Sequence, residues 1–225
     1  MTPMLDTITA ALEPHGLVPR GGFVFDAADD IPVLPDGTRA RSVVLIGHFG
    51  SSIWQAFTAW RRENPGVANP LDTWSKQVLN AIASEFGGYS VFPSDRPYLP
   101  FQQWAMRAEG LRPSPLGLLI HPQYGLWQAF RGALLFRQSM AFAPLQENGH
   151  PCDVCASKPC LSACPVDAFD GETYAVARCR DYLATEPGQT CMEGGCLARL
   201  GCPVGRQYAY FGDQQRFHMT AFARS

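Results

Sequence analysis

The chain has 225 residues, 46% of them hydrophobic and 17% charged, a composition that buries a core and is incompatible with a disordered tail. Lys and Arg number 18 against 20 Asp and Glu, so the net charge of −2 sets the chain apart from basic binders of the nucleic-acid backbone, and no nucleic-acid partner is expected. No apolar run has the ~20 residues of a membrane helix, and Asp6, Glu13 and Pro14 interrupt the start where a signal peptide needs an apolar core, so a cytoplasmic protein without a membrane partner is expected.

Thr2 and Pro3, followed by Leu5, Ile8 and Leu12, predict a short opening helix with proline in its first turn. Gly22 to Phe25 and Ser42 to Gly47 predict strands, the second apolar enough to be buried on both faces. Ser51 or Ser52 can cap a helix carrying Ile53, Trp54, Phe57 and Trp60, which Asn64, Pro65 and Gly66 stop. Asn69 as cap and Pro70 at the first position open the most strongly patterned helix. Leu71, Trp74, Val78, Ile82 and Phe86 form its stripe, and Gly87 and Gly88 end it. Tyr89 to Phe92 then predicts a strand, and Pro100 to Ala108 a helix with Phe101, Trp104 and Ala105 inward. Leu116 to Ile120 and Phe130 to Phe136 predict two more strands, joined by His121 to Trp127. The strands are too irregularly spaced for a doubly wound sheet, so the expected class is α+β. Neither a Gly-rich dinucleotide loop nor a phosphate-cradling Gly-Lys-Ser/Thr is present.

All eight cysteines lie between Cys152 and Cys202, which divides the chain into a cysteine-free body, 1–148, and a cysteine-dense module, 149–225. Four disulfides would suit an exported chain, so metal is the better expectation. The first run is Cys152-x2-Cys155-x4-Cys160-x3-Cys164-Pro165, and Cys179, Cys191, Cys196 and Cys202-Pro203 follow. Bacterial ferredoxins hold cubane clusters with C-x2-C-x2-C-x3-C-P runs, whose fourth cysteine ligates the other cluster. Three closely spaced thiolates wrap one cube while the next cysteine faces its neighbour, and proline turns the chain away. On that logic Cys152, Cys155, Cys160 and Cys202 hold one [4Fe–4S] cluster, and Cys164, Cys179, Cys191 and Cys196 the other. The x4 spacing before Cys160 departs from the ferredoxin pattern. A pair of four-cysteine zinc sites is the alternative; two Cys-Pro endings and no alternating His favour iron–sulfur.

The module resembles the C-terminal part of epoxyqueuosine reductases and reductive dehalogenases, in which two cubane clusters feed electrons to a cobalamin. Arg178-Cys179 and the residues to Leu183 stand where those reductases place a lone cysteine on a helix between the two cysteine groups. The body resembles the cobalamin-processing CblC proteins, which have a nitroreductase-like corrinoid-binding fold. The stretch from His121 through Tyr124, Gly125, Trp127, Ala129 and Arg131 to Gly132 is similar to their His-Pro-x-Phe-Gly-x-Trp-x-Ala-x-Arg-Gly. The apolar strand Val43 to Ile46, with the turn and helix after it, is similar to their strand–turn–helix, though the turn residues differ.

This resemblance, over residues 40–210, implies a cobalamin bound over the sheet with its lower ligand displaced and one cluster near the corrin edge. It implies an iron–sulfur oxidoreductase that reduces cobalt, either to remove an upper ligand or to act on a small substrate. A low-potential donor such as a ferredoxin or flavodoxin would supply it. Asp95 lies near the proton-donating Asp of the reductases, in Asp-x-Pro where they carry Asp-x-x-Pro; a turn or cap aspartate is the competing reading. His121 could face cobalt or simply close a turn. Tyr124 and Trp127 could form a platform against the corrin or belong to the core. Arg131 could contact a corrin amide or a bound thiol, or pair with an acid. Two rival functions stay open: a ferredoxin-like electron carrier with a partner-docking N-terminal domain, and a flavin-dependent reductase.

Overall fold

The opening apolar spacing becomes a helix, α1 (Pro3–Leu12), with Ile8 and Leu12 fully buried. The computed structural model describes residues 3–145 and 149–224, so Thr2 and the expected boundary at residue 148 lie outside the described residues. Tertiary contacts divide the chain into two compact units. One comprises the described residues up to His48, Ser52–Gly110 and the stretch from Ala129 to 145; the other comprises Phe49–Ser51, Leu111–Gln128 and the residues from 149 on.

In the first unit a four-stranded sheet runs in the order β1 (Val18–Val24), β2 (Ser42–Phe49), β6 (Gln128–Phe136), β3 (Tyr89–Val91). β1 is antiparallel to β2, and β3 to β6. Every residue of β2 from Ser42 to His48 is buried, as its unbroken apolar run predicts for a strand covered on both faces. The helices α2 (Trp54–Glu63), α3 (Pro70–Glu85) and α4 (Phe101–Glu109) follow the predicted stripes, with Phe57, Trp74, Leu79, Trp104 and Ala105 inward. α1 and α4 pack on β1, and α3 on β3. The mixed α+β class holds.

Three local expectations are corrected. Neither serine caps α2: Ile53 occupies the cap position, the Ser52 hydroxyl donates to the Gly16 carbonyl at 2.6 Å, and Ser51 Oγ accepts the Phe211 N–H at 2.8 Å. Asn69 opens α3 through its backbone, at φ 46°, without a side-chain cap; asparagine tolerates that left-handed conformation. The expected strand Leu116 to Ile120 shrinks to β5 (Leu119–Ile120), paired with β4 (Arg112–Pro113), because Pro115 and Gly117 bend the chain into a turn closed by Ser114. A further element was not anticipated. Arg20 of β1, 2% exposed, forms a bidentate pair with Glu109 of α4 at 2.7 and 2.6 Å.

The second unit is a set of short helices, α5 (Pro159–Ser162), α6 (Val176–Leu183), α7 (Gln189–Gly194), α8 (Leu197–Gly201) and α9 (Gly212–Arg224). α5 packs on α8 and α7 on α9. Leu116, Ile120 and Leu126 share one core with Cys160, Cys164, Ala168, Ala198 and Cys202. The loop before β6 is seated by a backbone-on-backbone contact: a Cβ on Gly125 (φ 58°) would stand 2.0 Å from the Val204 carbonyl oxygen, and one on Gly205 would stand 2.4 Å from the Tyr124 carbonyl carbon. Only glycine allows that approach.

Candidate functional site

All eight cysteines are unbridged, and the short helices bring several of them close together. Cys160 lies on α5 and Cys202 directly after α8, and the packing of α5 on α8 gathers them with Cys152 and Cys155. Cys152 lies in the electrostatic field of Cys202, Cys160 and Cys155, and Cys160 in that of Cys202 and Cys155. The second gathering takes Cys164 after α5, Cys179 on α6, Cys191 on α7 and Cys196 before α8. Cys191 neighbours Cys179 and Cys164, and Cys196 neighbours Cys179 and Cys191. These four thiols open on one cavity, walled also by Phe169, Leu183 and Met219.

Two opposing influences act on the sulfurs. Burial, and then the neighbouring thiolates, push the Cys152 thiol up to about 11, and burial likewise raises Cys160, Cys191, Cys196 and Cys202. Backbone N–H groups pull the other way: those of Ala198 and Arg199 on Cys196, of Leu197 on Cys191, and of Val204 on Cys202. The Ala168 N–H reaches Cys164 Sγ at 3.3 Å. Lys158 stands near Cys152 and Arg206 near Cys202. Donors aimed at sulfur are what a thiolate ligand requires, so the donor set of each gathering fits a cationic multi-thiolate group. Among the described residues no three His, Cys, Asp or Glu side chains are grouped to hold a single metal ion.

The other sequence-predicted residues fall into three places. His121 Nδ1 accepts the N–H groups of Gln123 and Tyr124 at 3.0 and 3.2 Å, so it closes the turn and, if neutral, carries its proton on Nε2. Tyr124 is stacked between His121 (4.3 Å) and Phe49 (4.4 Å), with Tyr208 edge-on at 5.0 Å. Trp127 is 2% exposed and belongs to the core of the second unit. The Arg199 guanidinium lies 4.5 Å from both its ring and that of Tyr210, and its indole N–H has no hydrogen-bond partner. In the first unit, Arg131 lies 3.9 Å from Asp72 and lines a cavity of about 250 Å³ with Asp72, Phe92, Pro93 and Ser94. That space suits a small molecule or one side group of a larger one, not a macrocycle. Asp95, next to Ser94, is ion-paired with Lys76 at 2.5 Å and half exposed.

Two residues escaped sequence reasoning. Arg199 sits midway between Cys196 and Cys202 and donates to the Leu126 carbonyl; its only signal was that spacing. Tyr174 stands in the electrostatic field of Cys179, Cys196 and Cys164; burial first, and then those sulfurs, push its hydroxyl up.

No protein-family model matches the chain, and no curated protein matches it. Solved structures do. Epoxyqueuosine reductase from Streptococcus thermophilus superposes with a TM-score of 0.53 and 14% identity over 92% of this chain and 67% of its own. The B12-trafficking protein CblC from C. elegans superposes with 0.51 and 13% identity over 96% of this chain and 91% of its own. The fold is that of epoxyqueuosine reductase and CblC. The resemblance read from the cysteine module and from the His121–Gly132 stretch is thus borne out at the level of the fold. An epoxyqueuosine reductase solved with an epoxyqueuosine-modified tRNA-Tyr stem loop also aligns, with a TM-score of 0.48 and 15% identity over 92% of this chain and 66% of its own. That likeness is too slight to carry a partner across to this chain. No helix among the described residues is long and apolar enough to cross a membrane.

Proposed function

We propose that this chain is an iron–sulfur oxidoreductase in which Cys152, Cys155, Cys160 and Cys202 hold one [4Fe–4S] cluster and Cys164, Cys179, Cys191 and Cys196 a second. The observation that carries the proposal is the gathering of eight unbridged thiols into two sets of four, with backbone donors directed at the sulfurs. Such clusters supply electrons at potentials low enough for cobalt reduction. The ferredoxin-like module is 149–225, with Leu111–Gln128 contributing to its core, and the preceding part is the corrinoid-binding body.

The corrinoid part rests on the fold it shares with a B12-trafficking protein and with the epoxyqueuosine reductases, and on the cavity at Arg131. That cavity alone does not hold a corrin ring. Within the first unit the residues suited to a small reducible substrate are Arg131, which can bind an anionic or carbonyl oxygen, and Asp95, ion-paired with Lys76 and next to Ser94. Electrons come from a low-potential donor such as a ferredoxin or flavodoxin.

Anaerobic purification with metal and acid-labile sulfide counting tests the first part: about eight irons and eight sulfides per chain are expected, and colourless protein with stoichiometric zinc would sink it. Titration with hydroxocobalamin tests the second. Binding should shift the spectrum towards the base-off form and weaken in Arg131→Ala. A brown protein that never perturbs the cobalamin spectrum is an electron carrier instead.

A further inference from the structure

The cavity at Arg131 arises because two paired strands end at different places. β3 stops at Val91, whose partner is Ala133, while β6 begins earlier, at Gln128, so Arg131 lies two residues outside the last pairing of the two strands. The chain leaving β3 turns at once, with the Asp95 N–H bonding the Phe92 carbonyl at 3.1 Å, and Phe92, Pro93 and Ser94 of that turn form one wall. Lys76 of α3 fixes the wall: it pairs with Asp95 at 2.5 Å and holds its ammonium 5.5 Å from the centre of the Phe92 ring. Gly132 admits that ring, since a Cβ there would stand 3.1 Å from Phe92 Cδ1. Asp72, in the first turn of α3, and Arg131 complete the lining.

The two charged groups of this cavity face each other without closing. Arg131 Nη1 and Asp72 Oδ1 are 3.9 Å apart, beyond hydrogen-bond length. Elsewhere in the same unit Arg20 meets Glu109 at 2.7 and 2.6 Å, and Arg107 meets Asp29 at 2.8 and 2.7 Å. The Arg131 Nε donates to the Phe130 carbonyl at 3.0 Å, which sets the direction of its guanidinium. The Arg131 side chain is 18% exposed against 52% for Asp72, so the cationic pole lies deep and the anionic pole at the mouth. A lone anion on Arg131 would meet the Asp72 carboxylate, and a lone cation on Asp72 would meet the guanidinium. A ligand that carries both charges on neighbouring atoms avoids both repulsions. We propose that the cavity binds the α-amino-acid end of its ligand, with the carboxylate on Arg131, the ammonium on Asp72, and an apolar substituent against Phe92 and Pro93. The inference rests on the reading of this cavity as a substrate site and is independent of what the thiols hold.

The experiment is isothermal titration calorimetry of the full chain, purified without oxygen, with three probes that share one apolar side chain: L-leucine, isocaproate, which lacks the ammonium, and isoamylamine, which lacks the carboxylate. L-Leucine should bind at least about tenfold more tightly than either of the others, since each missing charge removes a charged hydrogen bond. Asp72→Asn should bring leucine down to the level of isocaproate, and Arg131→Gln down to the level of isoamylamine, with the fold of each variant verified by circular dichroism. Comparison of the probes on the wild-type chain decides the matter even where a variant fails to fold. Isocaproate or isoamylamine binding as tightly as leucine, or a leucine preference that survives either substitution, overturns the inference alone and leaves the cavity a site for a singly charged molecule. A wild-type chain that binds none of the three at millimolar concentration overturns the inference and the substrate reading of the cavity together.

Discussion

Cys160, on α5, and Cys164, just after it, are four residues apart and 7% and 9% exposed, yet they neighbour different thiols. Replacing either by alanine removes one buried heavy atom, on the order of 1 kcal/mol, so the two variants are matched in their cost to folding. What differs is which neighbours lose a ligand. Each single variant should fall from about eight irons to about four. Pairing decides the point. Cys160→Ala with Cys202→Ala strikes one set twice and should still retain about four irons, because the second loss is redundant, whereas Cys160→Ala with Cys164→Ala should retain almost none. Iron and labile sulfide, counted on anaerobically purified protein whose folding is verified by circular dichroism, give the reading. Equal retention by the same-set and cross-set doubles would refute the division, whatever the total.

Glu109→Gln strands the Arg20 guanidinium, whose side chain is 3% exposed, and should destabilise the first unit by about 3 kcal/mol; a change below about 1 kcal/mol in urea unfolding would mean that the pair is not buried in solution. Gly125→Ala combines a left-handed backbone, about 1–2 kcal/mol for a non-glycine residue, with a Cβ placed 2.0 Å from the Val204 oxygen, so a marked fall in the urea midpoint is expected and wild-type stability would exclude that approach. The Thr173 hydroxyl, then the N–H groups of Thr173 and Glu172, hold the Asp170 carboxyl down to about 2. Its contribution to stability is therefore fully present above the ordinary value of 3.8 and is lost as pH falls through about 2. A carboxyl-carbon NMR titration of metal-free protein with its midpoint at the ordinary value would contradict the turn.

Features set by local pattern were readable in advance. β2 is a continuous apolar run buried from Ser42 to His48, and Leu71, Trp74, Val78 and Ile82 of the expected α3 stripe are buried because nothing competes with the 3.6-residue period, while Phe86 falls just past the helix and is half-buried. Local chemistry misled where a second local signal opposed it: Pro115 and Gly117 break a run that hydrophobicity alone extends over Leu116 to Ile120. Pairings across the chain were invisible. Arg20 and Glu109 are separated by 89 residues, and neither lies in a pattern that announces the other. The packing of Leu116, Ile120 and Leu126 among the cysteines was hidden for a related reason, since a segment without cysteine gives no sign that it belongs beside them. The neighbourhood of the thiols, as distinct from what they bind, was legible because an interrupted Cys-Pro run can wrap only so far before its next residue faces elsewhere. The placement of the Tyr174 ring was not, since it stacks with Phe222 from the last helix.

The thiol gatherings carry a tension that bears on what they are for. A cysteine that merely packs gains from burial, needs no donors and stays protonated. Here burial and mutual repulsion raise the thiols, while at Cys196 two backbone N–H groups, and at Cys191 and Cys202 one each, are spent on sulfur, as though the charged form were the one to be served. Those donors come from the start of α8 and from the chain just beyond its end, so the connection between Cys196 and Cys202 is shaped by the sulfurs on both sides of it. Without a cation the two demands oppose each other, and the upward push prevails in every one of these three. A multiply charged metal group resolves the conflict in one step: it deprotonates the thiols, replaces repulsion by attraction, and turns the same N–H donors from weak compensation into stabilisation of the bound state. On the proposed iron–sulfur reading, folding of this unit would be coupled to loading, and its stability should rise on cluster assembly by more than that of the first unit.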